Sequence, residues 1–269
     1  MTTLQETTTD PTREANPPPG AVAIPTVQPT VTYVLLALNI LAFVAMYIIE
    51  QLQPLGAINP LLEFGVLDYN SIVLNHEIYR LVTSMFLHLS AAHIFFNMYA
   101  LYSIGRGLES IFGHLRFLLI YLIAGLAGSL FSFIIGRGAS AGASGAIFGI
   151  FSAQLVYVYR HREAIGPAAN DAIRNILLLA GLNLGIGFLT AVLPGGVRID
   201  NWGHIGGFVG GLIATTALAP TFAARFSPEN TVQIVDTTPL STRWPLAALL
   251  LIIEVVIAFG AMLALPPQG

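Results

Sequence analysis

Residues 31–49 read VTYVLLALNILAFVAMYII, a run without a single charged side chain that ends at Glu50. A run of this length carries a helix through the roughly 30 Å hydrocarbon core of a bilayer, where every backbone N–H and C=O has to be satisfied within the element. The stretch therefore reads as a transmembrane helix. Towards the C-terminus six more apolar stretches follow, at about 83–104, 116–135, 142–160, 172–193, 201–219 and 245–265. None shows the ten-residue alternation of a membrane barrel. The expected fold class is all-α, a polytopic membrane helix bundle. Composition points the same way: 9% of residues are charged, against about 25% in soluble domains, too few to cover a water-facing surface.

The division of the chain follows from its spans. Residues 1–30, rich in Thr and Pro and poor in aromatics, are expected to form a disordered tail. They lack the basic start of a signal peptide, and the block that follows is a full-length span. Residues 31–219 make a six-span core, 220–244 a polar connector, and 245–269 a seventh helix with a short tail. With the N-terminus inside, Arg13, Arg106, Arg116, Arg160, Arg162, Arg174, Arg225 and Arg243 face the cytoplasm and only Arg80, Arg137 and Arg198 face out, so the positive-inside rule favours a cytoplasmic N-terminus. The first outer loop, 50–82, is apolar enough to be partly embedded. Cysteine is absent, which excludes disulfides and thiol nucleophiles, and the basic residues are all Arg with no basic run, which sets nucleic acid aside.

Polar residues inside spans mark function, because each is costly in lipid. The second span carries His88, His93 and Asn97, the fourth opens on Gly142-Ala143-Ser144-Gly145, and the sixth contains His204 followed by Gly206 and Gly207. On the deduced topology these three spans all begin at the outer face, so the groups meet at one depth. A serine at a helix start, with free N–H groups and the positive end of the helix dipole beside it, together with a neutral imidazole, supplies a nucleophile, a base and an oxyanion site. The glycines at spacing four, Gly145 with Gly149 and Gly203, Gly207 and Gly211, allow the close approach that a Ser–His pair needs. Phe148, one turn after Ser144, is placed to stack on the imidazole. Asp200 lies four residues before His204, where a loop-surface role is favoured over orienting the histidine.

These residues resemble the rhomboid intramembrane serine proteases. The resemblance rests on Gly142-x-Ser144-Gly145, on His204-x-x-Gly207, and on His88-x4-His93-x3-Asn97, with Glu77-Ile78-Tyr79-Arg80 and Gly105-Arg106-Gly107-Leu108-Glu109 as further similar segments. It covers about residues 31–219 and implies a rhomboid-like six-helix core plus one C-terminal transmembrane helix. It also implies Ser144 as nucleophile, His204 as general base and acid, and His93, Asn97 and the Ser144 N–H as the oxyanion hole. The supporting residues are Phe148, His88, Gly142, Gly145 and Gly207. Tyr79 stands where the family commonly has Trp, and Gly203 where Ala is common. The implied activity is endopeptidase cleavage of transmembrane segments through an acyl-enzyme, without metal or other cofactor. Transmembrane protein substrates and the lipid bilayer are the implied partners. With no organelle-targeting presequence, a bacterial plasma membrane is the expected location.

Two other readings compete. A non-catalytic rhomboid-like protein that binds transmembrane clients would keep the fold without turnover. A metal site on His88, His93 and His204 is disfavoured, since a five-residue histidine spacing does not align on one helix face and no adjacent Glu serves as base. His76, His114 and His161 are expected in loops as solvated groups, and Arg80 with Glu77 as an anchor of the first loop. Glu254, in the middle of the seventh span, is expected to be protonated or hydrogen-bonded, with Asn183 as a possible partner.

Overall fold

The computed structural model describes residues 24–192, 199–226 and 232–268. The first span is helix α1 (Thr30–Leu52). Its N-terminal residue Pro29 offers no side-chain cap, and the free N–H groups of Val31 and Thr32 are instead taken by the carboxylate of Glu109 at 2.8 and 2.7 Å. Residues 1–23 of the expected tail lie outside the described residues. Just before α1, Val27 exchanges two hydrogen bonds with Ser110.

The first outer loop folds into three short helices, α2 (Pro60–Gly65), α3 (Tyr69–Asn75) and α4 (Arg80–Thr83). Arg80 knits them together: its guanidinium meets Glu77 at 2.6 Å and donates to the carbonyls of Glu63 and Val66 at 2.7 and 2.8 Å. Tyr79 stacks on Phe64 at 4.8 Å. The second span is not the straight helix expected over 83–104. The segment Arg80–Phe86 turns by 91° into a helix that begins at Ala91 and runs to Phe112. That helix comprises α5 (Ala91–Ala100), a π turn over Leu101–Gly105, and α6 (Arg106–Phe112). Ser90 is the physical cause of the new start: its side chain accepts the N–H of His93 as an N-cap.

Helix α7 (His114–Phe131), prolonged by a π turn to Gly136, and helix α8 (Ser144–Arg160) follow, then the short α9 (Arg162–Ile165) and the long α10 (Ala168–Val192). Helix α11 (Asn201–Leu218) starts on an Asp200 cap. The described parts of the expected polar connector 220–244 carry regular structure. Strands β1 (Phe222–Phe226) and β2 (Val232–Asp236) pair antiparallel, and helix α12 (Leu240–Ala264) begins before the predicted 245, with Pro245 inside its first turns.

Four of these helices are long and apolar enough to cross a membrane, at Thr30–Leu52, His114–Gly136, Ala168–Val192 and Leu240–Ala264, and the bent pair makes a fifth. The remaining two predicted spans, α8 and α11, are the short, glycine-bearing ones. With α7 they form the centre of the bundle, where protein surrounds most of α8 and packs on one face of α11, so they need neither length nor uniform apolarity. One apolar cluster, including Phe117, Tyr121, Ile147, Phe148 and Leu218, fills this centre. A second, of Leu67, Tyr69, Ile72, Phe133, Ala258 and Met262, ties the first loop and α12 to the end of α7.

Candidate active site

The centre of the bundle is a seam of backbone. A Cβ on Gly128 of α7 would sit 2.7 Å from the carbonyl of Gly203, one on Gly145 would sit 3.3 Å from the same oxygen, and one on Gly207 would overlap the carbonyl of Gly145. Further along, Gly211 abuts Gly149. Only hydrogen fits between these helices, so α8 and α11 touch main chain to main chain. Gly145 follows Ser144, and Gly203 precedes His204. The contact therefore brings together the two first turns that carry these residues.

Ser144 is the first residue of α8, and the helix has no side-chain cap at its N-terminus. Its leading N–H groups thus stay available, and Ser144, Gly145 and Ala146 line a cavity of about 20 Å³ together with Ser84, Gly142 and Asp200. That is room for about one water. Gly142 was expected inside the fourth span but stands outside the helix, at φ +130, with its N–H held by the carbonyl of Ser84 at 2.9 Å. Any side chain there would be strained, and a Cβ would meet His93 Nε2 at 2.6 Å and Asn97 Nδ2 at 3.5 Å. His93 and Asn97 therefore close over the strand of chain leading into Ser144.

His204 is buried, and the ring of Phe148 lies parallel to its imidazole, 4.2 Å between centroids and 11° between planes. Its Nδ1 has no hydrogen-bond partner. Among the described residues, then, stacking and not a carboxylate fixes this ring. Asp200 has a role other than loop surface. It caps α11 through Gly203 N–H at 2.8 Å and accepts from the Ser140 hydroxyl at 2.5 Å. One carboxylate thereby joins the start of the His204 helix to the loop that precedes Ser144. The cap was legible as an Asp at the head of an apolar helix; the partner Ser140, sixty residues away, was not.

His88 is fully buried and does not sit at a cavity mouth. Its Nε2 accepts from Asn97 Nδ2 at 3.0 Å, and its ring meets His93 edge-on at 5.0 Å. The bond leaves Asn97 one further amide hydrogen to offer and fixes the direction of its side chain. Of the loop 194–200, only Ile199 and Asp200 fall among the described residues. Of the histidines expected as solvated, His76 is exposed at the end of α3, whereas the exposed His114 also contacts the buried Glu109 at 2.6 Å, and His161 packs on Tyr157 and bonds its carbonyl. Among the described residues no three His, Cys, Asp or Glu side chains gather as a metal site. Glu254 is buried, and among the described residues its Oε2 is unpartnered. Asn183 does not serve it: its amide bonds the carbonyl of Leu179 on its own exposed helix.

A family model described as the Rhomboid domain matches residues 75–221, which include α4 to α11. The chain is 40% identical over 199 residues to rhomboid protease GluP of Bacillus subtilis, covering 74% of this chain and 37% of that one. It is 37% identical over 152 residues to RHOMBOID-like protein 1 of Arabidopsis thaliana, covering 56% of this chain and 37% of the relative. A further relative from the same plant, 34% identical over 146 residues (54% of this chain and 39% of that one), is named inactive RHOMBOID-like protein 8. The matched stretch spans little more than a third of the length of each of these relatives. A match over more than half of the 269 residues, on a bundle whose glycine seam lies within it, makes this chain a member of the rhomboid family.

Proposed function

We propose that this chain is an intramembrane serine endopeptidase that cleaves transmembrane segments of membrane proteins. The observation that carries the reading is the main-chain contact of Gly145 with Gly203, which sets the uncapped N-terminus of α8, bearing Ser144, against the first turn of α11, bearing His204. The name of GluP as a rhomboid protease supports it.

In this reading His204 takes the Ser144 proton as the hydroxyl oxygen attacks a substrate carbonyl, and returns it to the leaving amine. Negative charge develops on the carbonyl oxygen beside the Ser144 N–H, the second amide hydrogen of Asn97 and the His93 ring. The acyl-enzyme is then hydrolysed by water entering the small cavity at Ser144. A substrate helix has to unwind locally to offer an extended carbonyl, which favours segments with Gly or other weak helix formers near the outer interface. The N-terminus lies in the cytoplasm and the site towards the outer leaflet, in a bacterial plasma membrane.

The test is cleavage of a panel of transmembrane peptides by purified protein, beside Ser144→Ala and His204→Ala. Both substitutions are expected to abolish turnover while the protein remains folded, and Asn97→Ala to cost about 10- to 1000-fold. A fluorophosphonate probe is expected to label Ser144. Full activity of Ser144→Ala would overturn the assignment. A folded wild-type protein that neither cleaves nor is labelled would favour a client-binding member of the family, the condition that the name of inactive RHOMBOID-like protein 8 raises.

A further inference from the structure

Helix α8 has 17 residues, so its far end lies about 25 Å from Ser144, at the opposite face of the bundle. There the ends of α8 and α11, strand β1 and the first turn of α12 border a second, half-open cavity of about 450 Å³, lined by Arg160, His161, Thr216, Thr221, Phe222 and Arg243 among others. The volume is that of a small-molecule site.

Its charge is one-sided. Arg160 and Arg243 both line the cavity, and among the described residues no carboxylate does. Arg160 spends one donor on the carbonyl of Thr216 at 3.0 Å, and Arg243 forms no hydrogen bond or ion pair among the described residues. The neighbouring acid, Asp236, receives the Thr221 N–H, but its other oxygen is held by Arg116 at 2.7 Å. Two planar forks with unused donors around one concavity match the oxygens of a phosphate.

A separate observation gives the depth. Trp244, beside Arg243 in sequence, and Tyr159, beside Arg160, are 61% and 58% exposed, and such amphipathic rings collect at the headgroup level of a bilayer. The arginines therefore stand where lipid phosphates lie. We infer that this cavity binds the phosphate of an anionic lipid headgroup from the leaflet opposite the Ser144 site. The inference needs no cleavage reaction and stands or falls separately from the protease reading.

The test is native mass spectrometry of the purified full chain in neutral detergent, with phosphatidylglycerol or phosphatidylcholine added at equal concentration. Preferential retention of phosphatidylglycerol is expected. Arg243→Gln should lower it about 5-fold, and Arg160→Gln with Arg243→Gln about 30-fold. Arg225→Gln removes one charge from the same connector without touching the cavity and should leave retention unchanged. Arg243 makes no bond that folding would lose, so the single variant keeps the experiment interpretable, with its unfolding temperature as the check. Equal retention of the two lipids, or wild-type retention by folded Arg243→Gln, overturns the inference. So does displacement of the lipid by millimolar inorganic phosphate, which would make the ligand a soluble anion.

Discussion

A methyl group separates two kinds of glycine in this protein. At Gly207 a Cβ would overlap the carbonyl of Gly145, whereas at Gly181 on α10 it would meet nothing within 4 Å. Alanine at the first position forces α8 and α11 apart, and at the second it only removes backbone freedom from the unfolded chain. Thermal unfolding in detergent should show Gly207→Ala destabilised by about 1–3 kcal/mol and Gly181→Ala stabilised by about 0.5–1 kcal/mol. Activity should fall with the first substitution and hold with the second. The residue types of the candidate site were legible because polar groups in apolar spans stand out: Ser144, His204, His93 and Asn97 could be named as candidates from the sequence, and so could the stacking of Phe148 on His204. Buried partners of those groups were not. Nothing in the spacing tells that His88 would bond Asn97, since the bend at residues 87–90 that brings it there depends on how Ser90 caps the next helix.

Helix starts are where elements of this bundle are fixed to one another. Glu109, fully buried, caps α1 from a helix nearly eighty residues away and also accepts from the Thr32 hydroxyl. Asp200 does the same for α11 while holding Ser140. Asp200→Ala should cost about 0.5–2 kcal/mol of stability and lower kcat, by loosening the Ser144 loop against the His204 helix. Asp200→Asn keeps an acceptor and should retain most of both; equal loss in the two variants would show that the cap is not what matters. The β1–β2 hairpin is attached differently. Burial pushes the Asp236 carboxyl up, but the Thr238 N–H, the Arg116 guanidinium and the Thr221 N–H outweigh it and hold the group below its ordinary 3.8. A carboxyl lowered by folding stabilises the protein fully above its unfolded value and loses that contribution as pH falls through its folded one. Attachment of the hairpin should therefore be constant from neutral pH to about pH 4 and weaken below it. Trp244 fluorescence during an acid titration would follow this change, and Arg116→Ala should already show the detached signal at pH 7. Sequence patterning could not foresee the hairpin, because 220–244 is polar and its partners lie on α7.

Across the whole molecule a helix stands at each of the seven apolar stretches read from hydropathy, but only five of them, counting the bent pair, are long and apolar enough to cross a membrane, and their shapes were not readable. The two central helices were read as apolar stretches like the others, and their glycines and polar residues then as contact and chemistry. The seventh helix is the least explained by any catalytic role. It buries Ala247, Glu254, Ala258 and Met262 against the core, and the Glu254 Oε2 finds no partner among the described residues. Replacing an unpaired buried polar group with an apolar one of similar volume relieves its desolvation cost, so Glu254→Met should raise stability by about 1–3 kcal/mol. A fall in the unfolding temperature would mean that the carboxyl has a partner when the protein is in lipid. Beyond that glutamate the helix reaches the first loop, where the Tyr69 hydroxyl donates to the carbonyl of Pro266, 197 residues downstream, and Asn70 bonds Gln268 on both its amide atoms. A ribosome adding about 5–20 residues per second would take about 10–40 s to span that interval. For that time the newborn loop is without its clasp.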